Sequence, residues 1–548
     1  MGKLLSTDQQ NSKYYLWLLF VCLVLFISNL DVVYVNIMEA RNFISAREML
    51  THGNWLHTTL NLAPRYEKPP LPTWFTALAM GLFGKNNLYG LRLPAVIAVI
   101  ILIFSSFKLV TLVVKNNFHA FISSLILATS FYIIFSGRNA QWDIFAHSFM
   151  MLAIWQIFIA LKTAKISYKN WLLAGLFMGL SILSKGPVSL FALFLPFAIA
   201  YGFTYKFNGF SKQLKPTFLA LILALALGSW WAIYIYITDV QAVQTIAAKE
   251  TVAWSNRNVR PWYYYWPFFT QSGMWTLFAF IGLLYPFIKK RCIHLKAYKF
   301  TLIWTLSAVV LLSLIPEKKS RYLLPVLIPL ALNTSFYVHY LITKGKELPK
   351  IDKWLTAFGF GLLGLIALVF PIYSFGKFYE SSMAYPFNFW IQAVVLISIS
   401  FLIFRSLWQK NYKQSFYTSI ALMCSIMFLS LPLIKGLYNN PKFNNLSHLK
   451  QDALTQNTAL YVKGYIAPEL LWEYGTTIPV YKSENDIKDL SKFGLITQEK
   501  LDSSLLNHFK TILKQRIDLN YMVKKSGKGN NRLITSFYLL EKKRDSLN

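Results

Sequence analysis

Apolar runs of about twenty residues recur along this chain from residue 14 to residue 435. A hydrocarbon core about 30 Å thick needs roughly twenty consecutive apolar residues for each helical crossing. Hydrophobic residues make up 55% of the sequence and aromatic residues 17%, which is too apolar for ordinary soluble domains. The sequence therefore predicts an α-helical polytopic membrane protein.

The apolar runs predict about thirteen transmembrane helices. The first run follows Lys13 and has no small-residue cleavage site after it, so we interpret it as a span and not as a signal peptide. Spans five and six are separated only by Lys185, Gly186 and Pro187. We place a break there because the proline ends the preceding helix and the lysine can reach the interface. The predicted spans are residues 14–36, 90–114, 118–136, 143–163, 171–184, 187–205, 215–238, 265–288, 300–315, 321–341, 354–375, 387–406 and 415–434.

Lysine and arginine clusters between the spans predict the orientation, because short loops rich in these residues stay in the cytoplasm. Such clusters occupy alternate loops, which places these loops and the N-terminus on the cytoplasmic side. An odd number of spans then places residues 37–89, 137–142, 239–264 and everything after about residue 437 outside, in the bacterial periplasm. The clusters are Lys3 and Lys13, Lys162/Lys165/Lys169, Lys206/Lys212/Lys215, Lys289/Lys290/Arg291/Lys296/Lys299, Lys344/Lys346/Lys350/Lys353 and Arg405/Lys410/Lys413.

The formal net charge of +32 does not indicate nucleic-acid binding, because the basic residues form short clusters between apolar runs and no continuous stripe. We therefore expect membrane lipids as partners and no nucleic acid.

The three cysteines, Cys22, Cys292 and Cys424, lie in or beside different apolar segments, without the spacing of a zinc site.

The C-terminal part of the chain differs in pattern from the rest. Apolar runs stop there, and the segment Asp502–Arg516 has helical spacing. The pattern predicts a small soluble α/β domain over residues 437–548, after a membrane domain over residues 1–436. The β-like stretches are Ala459–Val462, Ile478–Tyr481 and Leu533–Leu540.

The first outside loop, residues 37–89, is long for a simple connector and is therefore predicted to be functional. Met38–Leu50 has helical spacing, and a second amphipathic piece runs from about Pro72 to Phe83. Both segments suit juxtamembrane helices with their apolar faces in lipid, and simple covering of the bundle is the structural alternative. Between them, RYEKPP places an acid and two bases in one rigid turn.

The stretches MEARNFISAREM, GNW and RYEKPPLPTW, followed by a span that starts near LRLP, resemble the start of the lipid A aminoarabinose transferases. These belong to a wider group that includes the protein O-mannosyltransferases. The resemblance is strong over residues 37–95, weaker to about residue 340 and negligible in the C-terminal domain. It implies a GT-C-like fold and metal-assisted or acid-assisted chemistry at the outer membrane face. The family usually has an Asp-Glu pair where this chain has Met38 and Glu39.

Transfer of a sugar from a polyprenyl phosphate expels a phosphate, so the site needs fixed positive charge. Arginine suits bidentate phosphate contact, and lysine acts as a point charge. The candidate donor-phosphate residues are Arg41, Lys68, Arg257, Arg260, Lys319 and Arg321. The structural alternative for Arg257 and Arg260, in SNRNVRPWYYYW, is interfacial anchoring. The alternative for Lys319 and Arg321, in EKKSRYLLP, is ordinary loop charge.

Three acids, Glu39, Glu67 and Asp143, are candidate catalytic residues. Asp143 lies at the outer end of the fourth predicted span, where an ionisable group is costly unless it is paired or faces water. It matches the position at which the resemblance implies a functional aspartate. Glu67 and Asp143 are candidate ligands of a divalent ion (Zn, or Mg or Mn), with His147 as the third. A structural role near the helix end is the alternative for His147.

The resemblance implies an inverting glycosyltransferase that moves a sugar, such as 4-amino-4-deoxy-L-arabinose, from undecaprenyl phosphate to lipid A or another periplasmic lipid or glycan. Glu39 would lie near the acceptor, and Arg41 and Lys68 would bind the donor phosphate. Transfer to a protein hydroxyl and a non-enzymatic flippase or transporter are the alternatives. The acids of the predicted spans lie near outer ends and not at the midplane, which favours surface chemistry over transport.

The predicted orientation is testable with topology reporters. A reporter fused after residue 436 is expected to be active only in the periplasm, and one fused within residues 289–299 only in the cytoplasm, because the basic loops stay inside. Alkaline phosphatase and green fluorescent protein fusions measure the two sides. The opposite labelling would reverse the orientation and move every candidate residue to the other face.

Overall fold

The computed structural model describes residues 2–163, 165–208, 210–450, 452, 455, 458–522 and 531–543. In chain order, the α-helices are α1 (Gly2–Ile27), α2 (Ile37–His52), α3 (Leu71–Phe83), α4 (Leu88–Val114), α5 (Asn117–Ala128), α6 (Phe131–Gly137), α7 (Trp142–Lys162), α8 (Tyr168–Lys185), α9 (Leu195–Tyr205), α10 (Leu214–Thr238), α11 (Val240–Asn256), α12 (Thr276–Leu283), α13 (Tyr285–Ile288), α14 (Leu295–Leu314), α15 (Leu324–Lys344), α16 (Lys350–Lys377), α17 (Tyr379–Ala384), α18 (Pro386–Trp408), α19 (Tyr412–Ser425), α20 (Pro468–Tyr474) and α21 (Ser503–His508). The strands are β1 (Thr59–Leu60), β2 (Ala63–Pro64), β3 (Ala459–Lys463), β4 (Lys492–Thr497), β5 (Phe509–Asp518) and β6 (Ile534–Lys542).

The chain divides into two compact units. The first unit comprises Met1–Val32 and Tyr66–Leu433, and the second comprises Val33–Arg65 and Ile434–Asn548. The residues of the first outside loop are therefore shared between the units, since α2 and the β1–β2 hairpin belong to the second and α3 to the first.

The first unit contains the membrane-spanning helices. Within the described residues, eight helices are long and apolar enough to cross a membrane, or nine if the bent pair α5 and α6 forms one span. Shorter apolar helices lie at Ser12–Ile27, Leu71–Phe83 and Leu190–Tyr205. Each of the thirteen predicted spans overlaps a helical segment. The chain is therefore a multi-pass membrane protein with a mostly helical fold.

Several predicted spans differ from the structure, and local chemistry explains two of these differences. The first ends early, at Ile27, and Asn29 soon after it adopts a left-handed backbone conformation with φ of 54°. The predicted span 265–288 is broken, because a 3₁₀ segment with non-helical backbone at Pro267 and Gly273 precedes α12. Proline removes a helical hydrogen bond, and glycine readily takes the positive φ of 66° found here.

Helices α8 and α10 pack closely through small residues. Gly175 and Gly179 of α8 are four residues apart on one face, and a Cβ added at Gly175 would clash with the carbonyl oxygen of Ala220 in α10. A Cβ at Gly179 would lie 2.7 Å from Cβ of Leu227. Small residues at this spacing allow membrane helices to approach backbone to backbone. The close approach fixes the end of α8, where Lys185 lies.

The second unit contains a four-stranded sheet in the order β3-β4-β6-β5. Strands β3 and β4 are parallel, and the other two pairs are antiparallel. The core on one side of the sheet is built from apolar side chains of the strands and of α21. Its largest members include Phe493, Leu495, Leu505, Phe509 and Leu540.

The predicted strands at Ala459–Val462 and Leu533–Leu540 are confirmed as β3 and β6. The predicted strand at Ile478–Tyr481 contributes only a bridge from Val480 to Val462. The helix predicted over Asp502–Arg516 is wrong beyond His508, because the following residues form β5 and pair with β6. Cross-strand pairing outweighs the local helical spacing there.

Helix α2 contacts the C-terminal residues within the second unit. The guanidinium of Arg47 donates hydrogen bonds to the carbonyl oxygens of Leu471 at 3.2 Å and Trp472 at 3.4 Å. Asn61 exchanges hydrogen bonds of 2.7 and 2.9 Å with the backbone of Ile478. Burial lowers the pKa of Arg47, although the neighbouring carboxylate of Glu48 acts in the opposite direction. These contacts explain why the first-loop residues 33–65 group with the C-terminal part of the chain.

The α8–α10 contact predicts a difference between two glycine-to-alanine variants. Gly175→Ala is expected to lower the free energy of unfolding by about 1–3 kcal/mol, the usual cost of overpacking. Gly81→Ala in α3 is the control, since nothing lies within 4 Å of the added methyl group, and it is expected to be neutral or slightly stabilising. Thermal unfolding of both purified variants in detergent measures the difference. Equal stability of the two would contradict a backbone-to-backbone contact.

Candidate active site

A buried ion pair links the ends of α7 and α8. The carboxylate of Asp143, in the first turn of α7, pairs with the ammonium of Lys185, the last residue of α8. Their side chains are only 9% and 8% exposed. Each charge lies at the helix end whose dipole it complements, the acid at an N-terminus and the base at a C-terminus. The pairing meets the requirement that an ionisable group in a membrane helix be neutralised.

The segment Glu317–Tyr322, between α14 and α15, adjoins this pair. The ammonium of Lys185 lies 5.6 Å from the centroid of the Tyr322 ring, within cation–π range. The Tyr322 hydroxyl donates a 3.1 Å hydrogen bond to Glu317. Glu317 also pairs with the ammonium of Lys319. A chain of polar contacts therefore runs from Lys185 through Tyr322 to this second ion pair.

Arg321 completes the cluster. Its guanidinium is 5.6 Å from the Tyr322 ring centroid, and it is close enough to Asp143 to attract that carboxylate electrostatically. Its Nε atom is buried without a hydrogen-bond partner among the described residues. We call Asp143, Lys185, Glu317, Lys319, Arg321 and Tyr322 the charged cluster. The structure thus brings together three predicted site residues, Asp143, Lys319 and Arg321.

Two backbone segments brace the charged cluster. Val259 forms an antiparallel bridge with Glu317, and Lys318 N–H donates to the carbonyl oxygen of Asn258 at 3.1 Å. The ammonium of Lys318 is committed to backbone carbonyl groups, including Arg260 O at 3.1 Å, and burial lowers the pKa of this lysine. Tyr265 accepts from Lys319 N–H at 2.9 Å and donates to its carbonyl oxygen at 3.1 Å.

The predicted donor-phosphate residues Arg257 and Arg260 lie on either side of Asn258 and Val259, whose backbone contacts the segment Glu317–Tyr322. Both are exposed, although the backbone of Arg260 is held by Pro316 O through a 3.3 Å hydrogen bond. The backbone of Arg260 therefore supports the charged cluster, whereas the charge of Arg321 lies within it.

The RYEKPP turn is anchored to the end of α10. The Tyr66 hydroxyl donates a 2.8 Å hydrogen bond to Asp239. Burial, together with the hydrogen bond to the Asp239 carboxylate, raises the pKa of Tyr66, so this phenol stays protonated. The two following residues, Glu67 and Lys68, are exposed and half-buried, respectively, in the first unit.

Glu39 has a structural contact that the sequence analysis did not consider. Its buried carboxylate accepts hydrogen bonds from Asn36 N at 3.4 Å and Asn36 Nδ2 at 2.9 Å. Asn36 in turn accepts from the backbone N–H of Glu39, so the two residues form a capping box at the start of α2. Arg41 is half-buried on the same helix. Both predicted residues belong to the second unit.

The candidate metal ligands have other partners in the structure. Across the described ranges, no three His, Cys, Asp or Glu side chains form a group that could hold a metal ion. The carboxylate of Asp143 faces the Lys185 ammonium, and His147 Nδ1 lies 3.0 Å from the Ser189 hydroxyl. Among the described residues, Glu67, Asp143 and His147 therefore do not form a three-residue group around one ion, and the metal ion stays a prediction.

Sequence reasoning missed Lys185, Glu317 and Tyr322. Lys185 was interpreted as an interfacial lysine at a break between two apolar runs. An ionisable residue at such a break is also the expected signature of a polar site in a membrane protein. Pairing between α7 and α8 was not visible in either helix alone.

The comparisons with known proteins agree with this architecture. The family described as dolichyl-phosphate-mannose-protein mannosyltransferase matches residues 67–234. An undecaprenyl phosphate-alpha-4-amino-4-deoxy-L-arabinose arabinosyl transferase of Proteus mirabilis is 25% identical over 378 residues, 66% of either chain. A relative of the same description from Shewanella sediminis is 23% identical over 444 residues, 78% of either chain. The chain thus spans just under two thirds of the first two curated relatives, at 66% and 65% of their length.

The fold also has a solved counterpart. The crystal structure of ArnT from Cupriavidus metallidurans bound to undecaprenyl phosphate superposes with a TM-score of 0.68. The superposition covers 96% of this chain and 98% of that one, at 14% sequence identity, which establishes a shared fold. In sequence and in fold, the chain is similar to the undecaprenyl phosphate aminoarabinose transferases.

Proposed function

We propose that this chain transfers 4-amino-4-deoxy-L-arabinose from undecaprenyl phosphate to lipid A or a related acceptor. The similarity to relatives that carry this activity in their names supports the donor and the sugar. The observation that carries the proposal is the charged cluster. Its Asp143–Lys185 pair, like Lys68, lies in the segment that matches the mannosyltransferase family. The predicted orientation, with the N-terminus in the cytoplasm and residues 437–548 in the periplasm, would place this reaction at the outer face of the inner membrane.

The donor phosphate would be stabilised by cations of the charged cluster and by Lys68, all of which belong to the first unit. In the transfer, an oxygen of the acceptor bonds to C1 of the sugar while the C1–O bond to the phosphate breaks. The electron pair of that bond passes to the phosphate, whose charge therefore rises in the transition state. Fixed cations in a site that excludes water stabilise this developing charge most strongly. Arg321, with its unpartnered Nε, is the residue best suited to bidentate phosphate contact, and Lys68 and Lys185 act as point charges.

The acceptor would be a phosphate group more readily than a hydroxyl group. A lipid phosphate is already ionised near neutral pH and needs no strong base. A hydroxyl acceptor requires a carboxylate that is free to take its proton. In this chain Asp143 is paired with Lys185, and Glu39 forms the capping box of α2. The Asp-Glu pair that is usual in the resembling family has only one acid here, because Met38 stands at the aspartate position. Both carboxylates therefore have structural partners that compete with a role as base.

Arg321 is the most direct test of the donor-phosphate proposal. Arg321→Ala is expected to lower kcat/KM for the lipid-linked donor by about 10²–10³, because one charge-stabilising donor is lost. Arg321→Lys is expected to recover part of the loss, since the charge remains without the bidentate geometry. The assay measures sugar transfer from purified undecaprenyl phosphate aminoarabinose. Lys169→Ala, at an exposed lysine outside the charged cluster, is the control. Wild-type turnover by Arg321→Ala would exclude this residue from phosphate binding.

Two variants of Glu39 separate the acceptor classes. Glu39→Gln keeps a capping-box acceptor but removes the charge, so a phosphate acceptor predicts a loss of at most one or two orders of magnitude. A hydroxyl acceptor predicts a loss of about 10²–10⁴, the usual contribution of a general base. Glu39→Ala is the matched variant, and it should also lower the free energy of unfolding by roughly 1 kcal/mol. Turnover and thermal unfolding are measured on the same preparations. A loss beyond about a thousandfold in Glu39→Gln would contradict the phosphate acceptor.

A further inference from the structure

A cavity lined by basic residues and histidines lies at the opposite ends of the helices that flank the charged cluster. Helix α14 ends three residues before Glu317 and begins next to His294, while α15 begins after Tyr322 and ends at Lys344. His294 and Lys344 line a cavity of about 210 Å³. Twenty helical residues rise about 30 Å, the thickness of the hydrocarbon core. The cavity therefore lies at the membrane face away from the charged cluster.

The lining of this cavity is basic. Lys290, Arg291 and Lys344 contribute cations, and no acidic side chain is among its lining residues. The charge of Arg291 is taken up by the buried Asp352, to which its Nε donates at 2.8 and 3.0 Å. Among the residues that the structure describes, Lys344 forms an ion pair only with the exposed Glu347, at 3.6 Å. Exposed ion pairs of this kind contribute little, so positive charge remains at the mouth of the cavity.

Histidines form the inner wall of the cavity. His119 is 1% exposed, and its ring stacks on that of His339 with the centroids 4.5 Å apart. The Ser335 hydroxyl donates to Leu332 O at 2.6 Å, so its oxygen accepts from His119 Nε2 at 2.9 Å. In the neutral ring, Nδ1 is then an acceptor. It has no hydrogen-bond partner among the described residues, although buried polar atoms are nearly always paired.

The positive-inside rule explains part of this arrangement but not all of it. Lysines such as Lys290 and Lys344 are expected in any cytoplasmic loop. The rule does not explain a stacked pair of histidines with a buried acceptor that has no partner among the described residues. Nor does it explain the cavity beside them, which is far larger than the roughly 10–15 Å³ that one water needs. The pattern suits a ligand that carries an anionic group for the lysines and a hydroxyl or amine donor for His119.

We propose that this cavity binds the phosphate group of a ligand that also bears a hydrogen-bond donor. An anionic phospholipid headgroup with free hydroxyl groups and a phosphate monoester both have this chemistry. The anion lies between the ammonium groups of Lys290 and Lys344, and the donor reaches toward His119. The site is separate from the proposed transferase site, because it lies at the other ends of α14 and α15.

The experiment compares two double variants of the full chain in detergent. Lys290→Ala/Lys344→Ala removes both lysines of the cavity, and Lys289→Ala/Lys346→Ala removes two exposed neighbours that do not line it. All four side chains are exposed, so both proteins are expected to fold. The probes are dioctanoyl phosphatidylglycerol, dioctanoyl phosphatidylcholine and inorganic phosphate, each titrated against the thermal unfolding midpoint.

Wild type and the Lys289/Lys346 variant are expected to be stabilised by phosphatidylglycerol, inorganic phosphate or both. The Lys290/Lys344 variant should bind about tenfold more weakly or worse, since two charged contacts are lost. Stabilisation by phosphatidylglycerol alone assigns the site to a lipid headgroup, and stabilisation by inorganic phosphate as well assigns it to a phosphate monoester. The proposal is overturned if neither probe stabilises wild type, if phosphatidylcholine acts as strongly as phosphatidylglycerol, or if both double variants lose affinity equally.

Discussion

The ion pair between Asp143 and Lys185 is the interaction on which the candidate site depends. A charge at the end of a membrane helix is costly unless it is neutralised, so the carboxylate and the ammonium hold the ends of α7 and α8 together. The close packing of Gly175 and Gly179 against α10 fixes the position of α8. Lys185, the last residue of α8, is thereby placed next to Asp143. Tyr322 and Arg321, in the segment between α14 and α15, lie next to this pair.

The membrane unit places polar groups at both ends of the same two helices. Carboxylates and cations alternate in the charged cluster, where each acid has a basic partner. The cavity near His119 has cations and histidines without an acid in its lining. The first arrangement suits a site in which a bound phosphate replaces the carboxylates as the partner of the fixed cations. The second suits an anion bound by the lysines, because no carboxylate lines the cavity and the ion pair of Lys344 with Glu347 is exposed.

Several elements were predictable from the sequence because their signals are local. Twenty apolar residues indicate a span wherever they occur, and the strands β3 and β6 show the expected β-branched and aromatic residues. The segment after His508 was mispredicted because β5 exists only through its pairing with β6. The prediction of Glu39 as a catalytic acid did not include its capping box with Asn36. Asn and Glu three residues apart are a sequence signal of a helix start, and the backbone geometry of α2 shows the hydrogen bonds themselves.

The sequence by itself determined the solvent of this protein, since only a bilayer accommodates its repeated apolar runs, and it identified Asp143, Lys319 and Arg321 as charges in unusual places. Tertiary structure decided their partners. Lys185 lies 42 residues from Asp143, and Tyr322 lies on a third segment of the chain. Coulombic attraction and hydrogen bonding act over a few ångströms in space and are indifferent to separation along the chain. Helix packing and the ion pair between α7 and α8 therefore act together to bring these groups into contact.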